Sequence, residues 1–81
     1  MIKKYYIYKN NKLGCYNEPF TTPYSINDQI EMIARAIESN QIKNYEELSL
    51  YKLFELDDKT GEVKNGLEFI IDLSTLSKKN D

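Results

Sequence analysis

The sequence predicts an α+β domain of two layers, in which one amphipathic helix packs on a mostly antiparallel sheet of four to five strands in the order β-β-α-β-β. Two observations lead to this prediction. One stretch repeats its isoleucines at helical spacing, and the stretches on both sides of it are rich in Ile, Tyr, Leu and Phe. The 81 residues are enough for one domain. We place that domain at residues 1–76 and a polar tail at residues 77–81.

The first strand is predicted at residues 2–9, which read Ile-Lys-Lys-Tyr-Tyr-Ile-Tyr-Lys without a strand breaker. Asn10-Asn11 then suits a tight turn, because asparagine tolerates positive φ. Residues 12–17 are expected to return as a second strand. Pro19-Phe20 and Pro23 are expected to end regular pairing before the helix.

The helix is predicted to begin after Ser25, which forms a variant of the capping box with Asp28. Five apolar side chains then follow at spacings of 4, 3, 1 and 3 and form one apolar face over about 13–15 residues. They are Ile26, Ile30, Ile33, Ala34 and Ile37. Ser39-Asn40 is expected to end the helix without a glycine cap.

Residues 41–47 are mostly polar and predict a loop or a short turn. A strand is predicted at residues 48–56, where Tyr and Phe occur among aliphatic residues. Residues 57–61 then predict a turn, in which Gly61 takes the left-handed position of a bulged hairpin and aspartate side chains bond local backbone amides.

The last strand is predicted in two pieces. Residues 62–64 begin the return, and Asn65-Gly66 signals a second turn. Residues 67–73 then alternate Leu67, Phe69, Ile71 and Leu73 with the intervening residues, which predicts a strand with two distinct faces. The polar chain from Ser74 onward is expected to fray.

Composition excludes several kinds of chemistry. The chain has no His and one Cys, so it has neither an imidazole-based triad nor a zinc site of His and Cys. It also has no glycine-rich phosphate loop, and residues 57–62 lack the ligand spacing of a calcium-binding hand. Cys15 is predicted to be a small buried hydrophobe or an inert thiol in a reducing compartment. We therefore predict a protein that is not an enzyme, with no catalytic residue, no metal and no cofactor.

The charge is unevenly distributed along the chain. The net charge is −2, but residues 1–12 carry four lysines and no acid, whereas residues 27–68 carry a net charge of −5. No apolar run is long enough to span a bilayer, and no secretory signal follows the first lysines. We expect a cytosolic location and no membrane partner.

The first strand interleaves lysines with tyrosines, a pattern suited to stacking bases and neutralising phosphates. Strand alternation divides these residues between two faces, one of which must cover the helix. One face carries Lys4, Tyr6 and Tyr8, and the other carries Lys3, Tyr5, Ile7 and Lys9. The candidate nucleic-acid-binding residues are Lys3, Lys4, Tyr5, Tyr6, Tyr8, Lys9 and Lys12. The alternative is an edge or amphipathic strand whose lysines prevent edge aggregation.

A second candidate surface lies around the two prolines. Tyr16, Phe20 and Tyr24 either form an exposed aromatic loop or pack beneath that loop. We take these three residues as candidate protein-binding residues, because tyrosine supplies a large contact area at low entropy cost.

Four short blocks occur in order between residues 5 and 61. They are Tyr6-Ile7-Tyr8, Pro19-Phe20, Ala34-Arg35, and the run from Leu50 that ends in Asp57-Asp58-Lys59-Thr60-Gly61. In these blocks the chain resembles the small nonstructural protein of gokushovirus-type microviruses, which are phages with circular single-stranded DNA. Leu48 stands where that family often has Tyr, and Phe54 where it often has Gly. The resemblance implies a non-virion protein in the cytoplasm of an infected bacterium, assigned to viral single-stranded DNA synthesis or packaging, and it brings no established active residues.

We therefore expect a phage accessory protein that acts by surface contact with DNA or with the replication complex. The alternative is a protein–protein interaction module, either an oligomerising accessory or an inhibitor of a host protein, without nucleic-acid binding. Its features are the acidic middle of the chain and the abundance of tyrosine. The candidate partners are single-stranded DNA, a viral or host protein and a second copy of the chain.

Overall fold

The computed structural model describes residues 1–76, and the predicted tail at 77–81 lies outside them. It confirms the α+β class, with a five-stranded antiparallel sheet and one α-helix. The elements are β1 (Ile2–Asn10), β2 (Cys15–Tyr16), β3 (Phe20–Thr21), α1 (Ile26–Glu38), a 3-10 helix (Tyr45–Glu47), β4 (Leu48–Asp57), β5 (Val63–Asp72) and a second 3-10 helix (Leu73–Leu76). The strand order is β2-β1-β4-β5, and β3 also pairs with β1.

The core lies between α1 and one face of the sheet, which we call the helix face. Its buried cluster comprises Tyr6, Ile33, Ile37, Leu48, Leu50 and Leu73. Leu50 and Leu73 are both 0% exposed. Tyr45 and Leu76 from the two 3-10 helices pack against this cluster. All three helical elements of the described chain therefore contribute to the same side of the sheet.

Helix α1 confirms the prediction at both ends. The Ser25 hydroxyl accepts a hydrogen bond from the backbone N–H of Asp28 at 3.2 Å, as an N-cap should. The backbone N–H of Ser39 donates to the Arg35 carbonyl at 3.0 Å. Asn40 then takes a φ of 63°, a left-handed conformation that asparagine tolerates better than most residues. The apolar spacing places Ile33 and Ile37 in the core.

The turn between β4 and β5 also confirms the prediction. The Asp57 carboxylate accepts hydrogen bonds from the backbone N–H groups of Lys59 at 2.9 Å and Thr60 at 3.4 Å. These bonds hold the pKa of Asp57 below its ordinary value, and the bond from the Lys59 N–H has the largest effect. Gly61 has a φ of 78°, the left-handed conformation predicted for it.

The predicted second strand is wrong in length, because only Cys15–Tyr16 pairs with β1. Residues 11–14 form a turn instead, in which the Asn10 carbonyl accepts from the N–H of Gly14 at 2.7 Å. The prediction that pairing ends at Pro19-Phe20 is also wrong. Phe20 and the following threonine pair with β1, because the Phe20 ring packs on the tyrosine rings of that strand.

The predicted turn at Asn65-Gly66 is wrong, because β5 continues through it. The register between β4 and β5 shifts twice, and each bulge places an additional residue in β5. The bulge opposite Leu50 and Tyr51, where Ile70 is the additional residue, brings both Ile70 and Ile71 against the core. The simple alternation predicted over residues 67–73 is therefore wrong as well.

Two further predictions are corrected near the ends of the sheet. Leu73 leaves the strand and is fully buried in a 3-10 helix that includes Ser74, so the predicted fraying from Ser74 is wrong over residues 74–76. Cys15 is exposed rather than buried. The reason is that β2 is a two-residue strand beyond the reach of the core cluster.

Candidate nucleic-acid interface

Strand β1 divides its tyrosines between the two faces of the sheet, as predicted. Tyr6 lies on the helix face with 4% of its surface exposed, and Tyr8 is half-buried on the same face. Their ring centroids lie 5.9 Å and 5.3 Å from that of Phe20. Burial raises the pKa of both tyrosine hydroxyls. Neither ring is therefore available to stack on a base.

The opposite side of the sheet, which we call the open face, carries no helix within residues 1–76. Its side chains follow from strand alternation in β1 and from the cross-strand pairs. They are Lys3, Tyr5, Ile7 and Lys9 of β1, Tyr16 of β2, Tyr51, Phe54 and Leu56 of β4, and Val63, Leu67 and Phe69 of β5. Strand β1 pairs on both sides, so its interpretation as an edge strand is wrong, and it buries Tyr6 on the helix face and Ile7 on the open face.

Aromatic rings form a band across the open face. The ring centroids of Tyr16 and Tyr51 are 6.1 Å apart, and those of Tyr51 and Phe69 are 5.6 Å apart, both in edge-to-face geometry. Tyr16 is 44% exposed and Phe69 is 53% exposed. Ile7, only 6% exposed, pairs with Tyr51 and lies among these rings. The band therefore runs from β2 across β1 and β4 to β5.

Charges are sorted between the two faces of the sheet. On the open face, the Lys9 ammonium lies 5.6 Å from the centroid of the Tyr16 ring, within cation–π range. On the helix face, the Lys52 ammonium lies 3.0 Å from a Glu55 oxygen and 3.4 Å from a Glu68 oxygen. The hydrogen bond with Lys52 lowers the pKa of Glu55. These two carboxylates consequently do not oppose an anion on the open face.

Asp72 lies at one end of the open face, where it is paired with Ser49. Its carboxylate accepts a hydrogen bond from the Ser49 hydroxyl, and the Asn11 amide donates to that hydroxyl at 2.7 Å. Asp72 thus lies in the same cross-strand row as Lys9 and Tyr16, and one of its oxygens is bonded within the protein.

The predicted nucleic-acid-binding residues do not form one surface. Lys3, Tyr5 and Lys9 lie on the open face, whereas Lys4, Tyr6 and Tyr8 project to the helix face because residues alternate along a strand. Lys12 lies in the turn after β1, with its ammonium 3.9 Å from a Glu47 oxygen. The sheet therefore keeps three of the seven predicted residues together on the open face.

The predicted protein-binding residues separate as well. Tyr16 joins the open face, Phe20 is half-buried against Tyr6 and Tyr8, and Tyr24 is exposed beside the start of α1. The two alternatives for this loop thus both occur, because Tyr16 and Tyr24 at its ends are exposed and Phe20 between them packs against β1. The reason is that β2 and β3 pair separately with β1, which holds the three rings at different places.

Sequence reasoning did not include Tyr51, Phe54 or Phe69 among the candidate site residues. A strict period of two would place Tyr51 and Phe54 on opposite faces. The β1–β4 register shift leaves Leu53 unpaired with β1, and so both rings reach the open face. The aromatic content of residues 48–56 was the available signal, but the bulge was not readable from spacing.

Comparison of the chain with protein-family models, curated proteins and solved structures finds no match. The protein is therefore defined by its fold and its site, as an α+β domain with an aromatic sheet face that no helix of residues 1–76 covers. No helix in this part of the chain is long and apolar enough to cross a membrane. Residues 1–76 also contain no group of three or more His, Cys, Asp or Glu side chains placed to hold a metal ion.

Proposed function

We propose that this protein is a non-enzymatic accessory protein that binds single-stranded DNA through the open face. The observation that carries the proposal is the band of Tyr16, Tyr51 and Phe69 rings across the sheet, with the Lys9 ammonium at one end of it. Aromatic rings and cations on an open sheet are what a single strand needs for base stacking and phosphate neutralisation. The resemblance to the microviral nonstructural protein supports a role in viral single-strand synthesis or packaging in the host cytoplasm.

The geometry supports weak dependence on base sequence and a moderate dependence on salt. Stacking of a base on an aromatic side chain contributes about 1–3 kcal/mol and tolerates any base. Lys3 and Lys9 are the open-face cations, and neutralising two phosphates of a single strand gives a slope of log K against log salt of about −1.4. The net charge of −2 does not prevent this contact, because Glu55 and Glu68 face the other side and the open-face Asp72 accepts a hydrogen bond from Ser49.

Fluorescence anisotropy tests the proposal directly. The probe is an oligothymidine of about 16 nucleotides with a 5′ dye and no 5′ phosphate, titrated at about 50 and 200 mM salt. We expect binding at low salt that weakens at higher salt. Absence of binding by the folded wild-type protein at low salt would overturn the proposal.

Matched variants separate the open face from the rest of the surface. Tyr16→Ala removes an exposed ring of the band, and we expect affinity to fall by about fivefold or more from lost stacking. Met32→Ala removes an apolar side chain of equal exposure from α1, on the other side of the sheet, and should leave affinity unchanged. Equal loss in the two variants would contradict assignment of the interface to the open face.

The alternative function, a protein–protein interaction module, is favoured by the exposed edge of the sheet. Strand β5 pairs only with β4 among the described residues, and Val63, Leu67 and Phe69 on it are about half exposed. A strand with one unpaired edge and apolar side chains can accept a strand from another chain. Light scattering over a range of concentrations tests self-association. A dimer that Leu67→Lys dissociates, in a protein that binds no oligonucleotide, would favour this alternative.

A further inference from the structure

A cavity of about 470 Å³ lies on the helix face, beside the N-terminal end of α1. Its polar lining includes Lys4, Tyr6, Lys52 and Glu68, and its apolar lining includes Ile26 and Ile70. This volume is in the range of small-molecule sites, which combine apolar walls with a few convergent polar groups.

The Tyr6 hydroxyl is the most informative group in this cavity. The residue is 4% exposed, yet its hydroxyl makes no hydrogen bond with any of residues 1–76. Every fully enclosed side-chain nitrogen or oxygen atom in this part of the chain has a partner, so the unpaired hydroxyl is the part of Tyr6 that reaches the cavity. A hydroxyl that is open to the cavity and has no partner among the described residues can donate to an acceptor on a ligand.

Two lysines lie around this hydroxyl together with the carboxylates of Glu55 and Glu68. Lys4 is exposed and forms no ion pair with a residue of the described chain. Lys52 is held by Glu55 and Glu68, which leaves the third N–H of its ammonium as a positioned donor. The N-terminal end of α1, marked by Ile26, adds unpaired backbone N–H groups and the positive end of the helix dipole.

We propose that this cavity binds a phosphate monoester carried by an aromatic base, the chemistry shared by a nucleoside 5′-monophosphate and by the phosphorylated 5′ end of a DNA strand. The dianionic group has three terminal oxygens, which match donors from Lys4, Lys52 and Tyr6. The base packs against Ile26 and Ile70. The cavity lies mainly on the helix face and shares Phe69 of β5 with the aromatic band, and its binding of a monophosphate does not depend on the proposed function.

Calorimetric titration of the full chain tests this site with thymidine 5′-monophosphate, thymidine and inorganic phosphate. We expect the nucleotide to bind at least tenfold more tightly than thymidine or phosphate alone, as each lacks one of the two recognised groups (about 1.4 kcal/mol per tenfold). Binding of thymidine as tight as that of its monophosphate, or no binding of the monophosphate, would overturn the proposal.

Two pairs of variants isolate the cavity. Tyr6→Phe removes only the hydroxyl, and affinity for the monophosphate should fall by about threefold to tenfold. Tyr8→Phe removes a hydroxyl from the same strand and face outside the cavity and should leave affinity unchanged. Lys4→Gln, at an exposed position that tolerates substitution, should lower affinity by about tenfold, whereas Lys3→Gln on the opposite face should not. Wild-type affinity in both Tyr6→Phe and Lys4→Gln would contradict the site.

Oligothymidines with a 5′ phosphate or a 5′ hydroxyl distinguish the two sources of the ligand. Tighter binding of the phosphorylated strand, lost in Tyr6→Phe, assigns the cavity to strand ends. Equal binding of the two strands, with the monophosphate still bound, assigns it to free nucleotides. Tyr16→Ala should leave affinity for the monophosphate unchanged, so failure at the cavity and failure at the open face are separate results.

Discussion

The ring of Tyr5 stacks on the ring of Phe54 across strands β1 and β4, with centroids 4.8 Å apart and planes inclined by 28°. The contact depends on the bulge at Leu53, which brings Phe54 opposite Tyr5 on the open face. An irregularity of one residue in β4 thus extends the aromatic surface along the sheet.

A double-mutant cycle should detect this stacking. We expect Tyr5→Ala and Phe54→Ala to couple by about 0.5–1.5 kcal/mol, the range for aromatic pairs beyond area burial. Urea denaturation of the wild type, the two single variants and the double variant measures the coupling. The control is a second cycle that combines Tyr5→Ala with Tyr16→Ala, because the Tyr16 ring contacts Tyr51 rather than Tyr5. In that cycle the two changes in the free energy of unfolding should add within about 0.5 kcal/mol. Equal couplings in the two cycles would contradict the stacking.

Leu73 should be indispensable to folding. It is 0% exposed and lies in the core after the last strand, so Leu73→Ala should destabilise the protein by about 2–5 kcal/mol. A domain of this size has a net stability of about 3–5 kcal/mol, so we expect a largely unfolded variant by circular dichroism. Leu67→Ala, at a site 51% exposed, should change stability far less. Similar unfolding curves for both variants would show that the core does not extend to Leu73.

Stability should decline in acid partly through Glu55. The hydrogen bond from Lys52 holds the pKa of Glu55 below its ordinary value of 4.5 in the folded state. The contribution of this carboxylate is therefore complete above pH 4.5 and is lost as pH falls through the lower, folded-state pKa. Denaturation of wild type and Glu55→Gln across pH should show a difference that shrinks below the ordinary glutamate pKa. A difference that is constant into strong acid would refute the coupling.

Capping by Ser25 should contribute measurably to the helix. The hydroxyl accepts the N–H of Asp28, so Ser25→Ala should lower the free energy of unfolding by about 1 kcal/mol. Ser25→Asp restores an acceptor and should recover most of the loss. Urea denaturation measures both variants. Equal destabilisation by Ser25→Ala and Ser25→Asp would contradict the capping role.

Cys15 should react as an exposed thiol. It lies at the surface of β2 among the described residues, so a thiol reagent should modify it without prior unfolding. The native protein and the urea-unfolded chain should consume the reagent at comparable rates, and Cys15→Ser should consume none. Strong protection of the native thiol would show that this surface is covered in solution.

Several parts of the fold were predictable because local forces determine them. The isoleucine spacing and the Ser25 cap predict α1, and the turn at residues 57–61 follows from Asp and Gly preferences. The division of β1 into two faces also follows from its own alternation. In each case the deciding interactions join residues that are close in the chain.

The aromatic site was predictable only in part. Tyr5 and Lys9 were among the candidates, but Tyr6 and Tyr8 were assigned to the same site although they pack against Phe20 on the other face. Strand alternation alone does not say which of two tyrosine sets the helix covers. That choice depends on where Ile33 and Ile37 of α1 meet the sheet, which is a long-range contact.

By itself, the sequence determined an α+β domain without histidine chemistry, one capped helix and a first strand whose lysines and tyrosines are divided between two faces. Only the tertiary structure decided that Tyr16, Tyr51 and Phe69 meet on one face, and that Lys4 and Tyr6 line a cavity on the other. The physical reason is that strand register and bulges minimise the energy of the whole packed sheet. A shift of one residue moves a side chain to the opposite face, and no local spacing records it.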